Sequence, residues 1–183
     1  MKAKIFLFIT ILSALISFNA CNLDGEANYT PEILFVKLPF NQHGDTLKAF
    51  ITDAGAFKLD TITVGDTVSF FLYLTSYQNN LKTFYLKQSA DSCTRILYSS
   101  KSAMDSIFTS SSNYNDGKFY FNANTSGLYF PFKYIARKPS LEASLVFSVV
   151  SDAVFENGMA SNSSTFTLKT PIRDSLKIAV KEY

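Results

Sequence analysis

Alternation with a period of two runs through most of this chain. It is clearest after Val64-Gly65-Asp66, where Val68, Phe70, Leu72 and Leu74 fall on one side and Ser69, Phe71, Tyr73 and Thr75 on the other. Successive side chains of an extended strand point to opposite faces, so this pattern predicts a strand with the first set in the core. Leu34, Val36 and Leu38 make an earlier segment stopped by Pro39; residues 47–52 and 57–63 are shorter segments broken by Asp53-Ala54-Gly55. Residues 81–87 and 94–98 follow the polar loop Tyr77-Gln78-Asn79-Asn80. Alternation resumes at Phe119 and Phe121, continues through Leu128, Phe130, Phe132 and Tyr134, and is strongest in Leu141, Ala143, Leu145, Phe147 and Val149. Phe166 and Leu168 come after a loop at Glu156-Asn157-Gly158, and Leu176, Ile178 and Val180 alternate near the end. Between residues 99 and 117 the spacing changes: Ala103, Met104, Ile107 and Phe108 sit as on one helical face and predict a short helix inside a serine-rich loop.

About eight to ten short strands with almost no helix predict an all-β fold, an antiparallel two-layer sandwich of Ig-like type rather than a closed barrel. The 183 residues fit one domain. Thr125-Ser126-Gly127-Leu128-Tyr129 resembles the Gly-x-Tyr entry to the strand that carries the tyrosine corner of Ig domains. That resemblance implies an inward Tyr129, whereas the alternation turns Phe130 and Phe132 inward and Tyr129 outward. The sandwich therefore rests on the strands and not on the corner.

The first residues have another grammar. Lys2 and Lys4 precede residues 5–16, apolar apart from Thr10 and Ser13, and small Ala20 precedes Cys21. This is the three-part pattern of a signal peptide. A spanning helix needs about 20 apolar residues, and this run stops at Phe18 and Asn19. Leu15-Ile16-Ser17-Phe18-Asn19-Ala20-Cys21 resembles a bacterial lipobox of the loosened kind found in Bacteroidota-type outer-membrane lipoproteins, with Phe18 and Asn19 where the strict pattern has leucine and a small residue. The resemblance implies cleavage before Cys21, acylation of Cys21, export to the outer membrane, and a lipid anchor as the membrane partner. Asp24 and Glu26 behind the cysteine are similar to the signal that sends some of these proteins to the cell surface. Two or more acyl chains suffice for stable anchoring, at about 0.8 kcal/mol per buried methylene. The expected organisation is a signal peptide over 1–20, a lipidated cysteine and tether over 21–32, and a sandwich domain over 33–183. The competing reading is an ordinary secretory cut near Ala20, which leaves Cys21 as a free thiol or paired with Cys93.

Cleavage removes two of 17 basic residues and leaves 15 against 15 acidic ones. The remaining Lys and Arg are scattered singly apart from Arg137-Lys138, so no basic field for nucleic acid is expected. One histidine, His43, in what reads as a polar hairpin tip, and one cysteine besides Cys21 do not make a familiar zinc set or a hydrolytic triad. Asn113-Tyr114-Asn115-Asp116-Gly117 reads as a turn rather than a calcium loop. Cys93 reads as a small strand residue. No phosphate-cradling glycine loop occurs, and no cofactor or metal is expected. Among the acids, Glu142 and Asp152 flank the strongest strand.

Five of ten aspartates begin Asp-(Ser/Thr)-apolar triplets, similar to the O-glycosylation signal of exported Bacteroidota-type proteins. The similarity implies Thr46, Thr61, Thr67, Ser106 and Ser175 as sugar carriers; an aspartate turn feeding a strand explains the same triplets without any sugar. Eighteen Phe and ten Tyr with no Trp must mostly fill the core. Phe71, Tyr73, Val146 and Val150, opposite the core sides of their strands, are then either covered by loops or form a binding face. Tyr73, Tyr77, Tyr85, Tyr114 and Tyr120 are available to stack on sugars. The leading expectation is a lipid-anchored binding or adhesion module, or an accessory subunit of a surface glycan or protein system. A sandwich-fold glycoside hydrolase and a structural subunit assembling through its terminal strands are the alternatives. Facing acids in a cleft, a flat aromatic face, or an apolar terminal edge would distinguish the three.

Overall fold

A computed structural model describes residues 28–89, 92–122, 124–155 and 160–174. Its strands are β1 (Glu32–Phe35), β2 (Ala49–Ile51), β3 (Phe57–Leu59), β4 (Ile62–Thr63), β5 (Thr67–Thr75), β6 (Leu81–Gln88), β7 (Thr94–Tyr98), β8 (Lys118–Tyr120), β9 (Gly127–Ala136), β10 (Ser144–Ser151), β11 (Ser163–Lys169) and β12 (Ile172–Arg173). One short helix, α1 (Lys101–Asp105), lies between β7 and β8. The order β1-β5-β9-β7 makes a four-stranded sheet, β2-β3-β11-β10-β6-β8 a six-stranded one, and β12-β4 a small ribbon. The inner faces of the two large sheets share one hydrophobic core, so the chain forms the all-β two-layer sandwich that its alternation predicts.

Phenylalanines from both layers fill the core. Phe70 and Phe132 stack within the four-stranded sheet, centroids 4.8 Å apart. Across the gap Phe130 meets Phe84 at 5.0 Å and Phe119 at 5.4 Å, and Phe132 meets Phe147 at 6.2 Å. Such pairs add about 0.5–1.5 kcal/mol each beyond their buried area. One polar tie also crosses the core: the Tyr134 hydroxyl, on β9, shares a 2.9 Å hydrogen bond with the Thr170 hydroxyl beyond β11, both residues fully buried.

Strand phases mostly follow the sequence. Val68, Phe70, Leu72 and Leu74 are fully buried, as are Leu145, Phe147 and Val149. Tyr129 points outward at 69% exposure with Phe130 and Phe132 buried, so no inward tyrosine corner forms. Four expectations are corrected. First, β1 has the opposite phase: Leu34, Val36 and Leu38 are exposed, while Ile33 and Phe35 pack on the core. Phe35 sets that phase, because its ring lies within about 6 Å of Phe70, Phe147 and Phe166. Second, β3 runs parallel to β11 and β4 parallel to β12, against a purely antiparallel expectation. These partners lie far apart in sequence, so no hairpin fixes their direction and alternation is silent about it. Third, the expected short helix is present as α1, a single turn, but its buried face is narrower than expected: Met104 and Phe108 are buried, Ile107 is half-buried and Ala103 is exposed. Ser100 makes no side-chain cap and no charge complements either end, so little sustains a longer helix. Fourth, Cys93 sits half-buried in the turn before β7, its carbonyl accepting the Arg137 and Lys138 N–H groups.

Residues 28–31, expected as tether, are docked. The Asn28 Oδ1 accepts from the Asn79 amide at 2.9 Å and the Val154 N–H at 3.2 Å, and Pro31 is buried. The signal segment, Cys21, residues 22–27, the 156–158 loop, Ser175 and the Leu176-Ile178-Val180 pattern lie outside the described residues.

Phe147→Ala is expected to lower unfolding free energy by about 3–5 kcal/mol, while Val146→Ala, one residue away on the outer face, costs about 0.5 kcal/mol. Tyr134→Phe, which keeps the ring and leaves the Thr170 hydroxyl without its tyrosine, costs about 1–3 kcal/mol. Urea unfolding of the three variants measures these differences.

Candidate functional site

The two outer faces of the sandwich differ chemically. On the four-stranded sheet, Leu34 of β1 stands opposite Tyr73 of β5, and Tyr73 opposite Tyr129 of β9. The two tyrosine rings are 4.7 Å apart and tilted by 41°. Gly127, at the start of β9, lies under the Tyr73 hydroxyl, where a Cβ would collide with it. Further along the sheet Phe71 opposes Pro131, and Phe40 stacks on Phe71 at 5.9 Å with 13° between planes. The Lys37 ammonium caps both rings, 3.8 Å from the Phe71 centroid and 4.7 Å from that of Phe40. Val36 joins this edge by donating its N–H to the Phe71 carbonyl at 2.9 Å. Phe71 and Tyr73 are thus half-covered, but Leu34 at 45%, Val36 at 52% and Tyr129 at 69% stay open to solvent. At the end of this sheet where the described chain begins, the exposed Tyr29 and Tyr77 rings lie 5.2 Å apart, and the Tyr77 hydroxyl donates to Glu32 Oε2 at 2.6 Å. That hydrogen bond, with burial and the carboxylate charge adding to it, raises the Tyr77 pKa.

Val146 and Val150 do not belong to this face. They lie on β10 in the other layer and point away from Phe71 and Tyr73 across the whole core. There Val146 sits between Lys87 and Thr167, and Val150 between Thr83 and Ser163. Ser148 between them accepts a hydrogen bond from the Thr165 hydroxyl at 2.7 Å. The four residues expected as one surface therefore split between the outer faces of the two sheets, and the second face carries Tyr85 and Tyr120 beside its serines and threonines. Alternation shows that each of the four is opposite the core on its own strand, but not which layer the strand joins.

The remaining candidates are scattered. His43 is exposed at a turn tip, its N–H held by Asn41 Oδ1 at 2.9 Å. Thr46, Thr61 and Ser106 are exposed and Thr67 is half-buried; Ser175 lies outside the described residues. The aspartates before them hold turns: Asp60 accepts the Lys48 N–H at 2.7 Å, and Asp66 accepts the Thr63 N–H at 2.7 Å. Asn113 Oδ1 accepts from the N–H groups of Asn115 and Asp116, so that segment is a self-closed turn. Glu142 is exposed, and Asp152 is tied to Asn80 through its N–H at 2.7 Å and its amide at 3.0 Å, and to Lys82 at 3.2 Å.

A cleft that sequence reasoning missed opens where the sandwich is unsealed. β8 covers β6 only as far as Tyr85, with Gly117 extending the pairing to Leu86, so residues 87–88 of β6 face the free edge of β7 across a gap. The gap holds about 530 Å³ and is lined by Leu86, Lys87, Gln88, Arg95, Ile96 and Tyr98, with Tyr114, Asn115, Asp116 and Lys118 from the turn and β8 closing it. The turn packs tightly on β6: Gly117 has φ 61°, and any Cβ there would strike the Leu86 carbonyl. Tyr114, from among the sugar-stacking candidates, is in this wall; its hydroxyl donates to Asp105 at 2.8 Å. Burial, then that hydrogen bond and the Asp105 charge, push the Tyr114 pKa up to about 12. Burial raises that of Tyr98 as well. Among the described residues Asp116 is the one carboxylate in the lining.

With this geometry in view, the described residues form an all-β two-layer sandwich. No protein-family model matches the sequence, and no curated protein matches it. Among solved structures it is similar to the ASH/PapD-like domain of human CEP192 (PapD-like domain 7), with a TM-score of 0.36 and 10% identity, covering 81% of this chain and 88% of that one.

Desolvation raises the pKa of Asp152, but the Asn80 hydrogen bonds and Lys82 outweigh it and leave it below its ordinary 3.8. A carboxyl depressed on folding stabilises the native state above its unfolded pKa, and that contribution is lost as pH falls through the folded value. Urea midpoints are therefore expected to decline below about pH 4 in the parent, and Asp152→Asn to flatten part of that decline.

Proposed function

We propose that this chain is an exported, lipid-anchored interaction module of the outer membrane, binding or adhering to a protein partner, or serving as an accessory subunit of a surface system, through the outer face of its four-stranded sheet. The observation that carries the reading is the solvent-open band of Leu34, Val36 and Tyr129, with half-covered Tyr73 between them, beside the Phe40–Phe71 stack. Apolar patches rimmed by polar groups are what docking surfaces present, and tyrosine suits them because its rigid ring buries area while its hydroxyl tolerates water. On the opposite face Val146 and Val150 stand among Ser, Thr and Lys, with Tyr85 opposite Ser148 and Tyr120 opposite Thr83.

Anchoring fits the same arrangement. If Cys21 is acylated, six residues, 22–27, link it to the docked Asn28. So few residues would keep the Tyr29–Tyr77 end near the headgroups, with the aromatic face to the side.

Two measurements test this reading. Cys21→Ala is expected to shift the protein from the membrane fraction to the soluble one; unchanged partitioning would rule out the lipid anchor. A photo-crosslinking residue placed at Tyr129 in the native host should give a discrete adduct that the same residue at Thr165, on the other face, does not. Equal adducts from both positions, or none from Tyr129, would remove the face from the account.

A further inference from the structure

We infer that the cleft between β6 and β7 is a binding site for an acidic saccharide of one or two rings, its charge a carboxylate or a sulfate. The inference is independent of the docking face, since no residue is shared.

The first support is charge. Lys87, Arg95 and Lys118 line the cleft, and Asp116, the one acid among its described lining residues, already accepts from the Asn113 amide at 2.8 Å. Among the described residues the ion pairs are Lys82 with Asp152 and Lys101 with Asp105, so none of the three cleft cations is ion-paired there. In a processed chain with equal numbers of acids and bases, this is a local excess of positive charge against a concave, partly apolar wall, where the field is strongest.

The second support is the balance of hydrogen-bonding groups. Gln88 has its Oε1 occupied by the Thr94 hydroxyl at 2.9 Å, which leaves its N–H groups for the cleft. Among the described residues the Tyr98 hydroxyl, which comes to the Gly117 position, makes no hydrogen bond to another side chain, and neither does the Asn115 amide. Donors therefore outnumber open acceptors. An extended acidic peptide brings as many N–H donors as carbonyls and would leave its own donors unmet, whereas a sugar acid is rich in acceptors, and its hydroxyls can donate or accept. The third support is shape. The floor of Leu86, Ile96, Tyr98 and Tyr114 is apolar and aromatic, matching the C–H face of a pyranose ring, and about 530 Å³ is the size of a small-ligand site.

The test is isothermal titration and NMR of the full processed chain in detergent with digalacturonate, a sulfated disaccharide, neutral digalactose, inorganic sulfate and a tetraglutamate peptide. The account expects saturable binding of at least one acidic disaccharide, with shifts confined to cleft residues. Arg95→Gln should weaken it about tenfold through loss of a charge-assisted contact. Tyr98→Phe, which removes only the hydroxyl and keeps the packing, should weaken it several-fold, and Tyr129→Ala should leave it unchanged. Which acidic disaccharide binds decides between carboxylate and sulfate. No binding by either, equal binding of digalactose, or equal or tighter binding of sulfate or the peptide would overturn the proposal.

Discussion

Contact between aromatic rings across the gap between the two sheets is what the molecule is built around. Phe130 meets Phe84 and Phe119 at 5.0 and 5.4 Å, and Phe132 meets Phe147 at 6.2 Å. Each sheet alone would expose a full row of rings to water; only the facing row removes both from it. Phe35 shows how far this constraint reaches. It sits on an edge strand of four residues, yet its contacts with Phe70, Phe147 and Phe166 fix the phase of β1. Once Phe35 is inside, Leu34 and Val36 have to be outside, and the exposed band beside Tyr73 and Tyr129 follows from the packing of the core.

The same packing leaves the sandwich unequally sealed. On one side β2, β3 and the β4–β12 ribbon extend past the core, with Leu59, Ile62 and Ile172 fully buried. On the other, α1 and the following turn bury Met104 and bring Phe108 against the rings of Phe119 and Phe121 but stop short of Gln88. The three-residue β8 cannot cover an eight-residue β6, and the uncovered length becomes the cleft. Charge collects there because long cationic side chains at sheet rims can reach water while their stems lie on apolar surface.

Much of the fold was legible because strands buried on one face write their phase into the sequence. Val68 to Leu74 on β5 and Leu145 to Val149 on β10 needed nothing more than a period of two. What stayed hidden depends on long-range pairing. The parallel joins of β3 to β11 and β4 to β12, and the assignment of β5 and β10 to opposite layers, leave no local trace. That is why Phe71 and Tyr73 could be picked out as outward residues but were grouped with Val146 and Val150. In β1 both phases are apolar, Ile33 and Phe35 against Leu34 and Val36, so alternation alone could not choose. The cleft gave no signal, since Lys87, Arg95 and Lys118 are ordinary isolated cations until two sheet edges bring them together.

The central claim is that core packing turns one set of aromatic rings inward and leaves another on an open face. Hydroxyl-radical footprinting of the isolated native protein, with peptide mass spectrometry of each tyrosine, addresses it most directly. Tyr129, at 69% exposure, should oxidise many times faster than the fully buried Tyr134, with half-covered Tyr73 between them. Comparable rates for Tyr129 and Tyr134, or a protected Tyr129 beside a reactive Phe130 and Phe132, would mean that β9 is turned the other way and that the face does not exist.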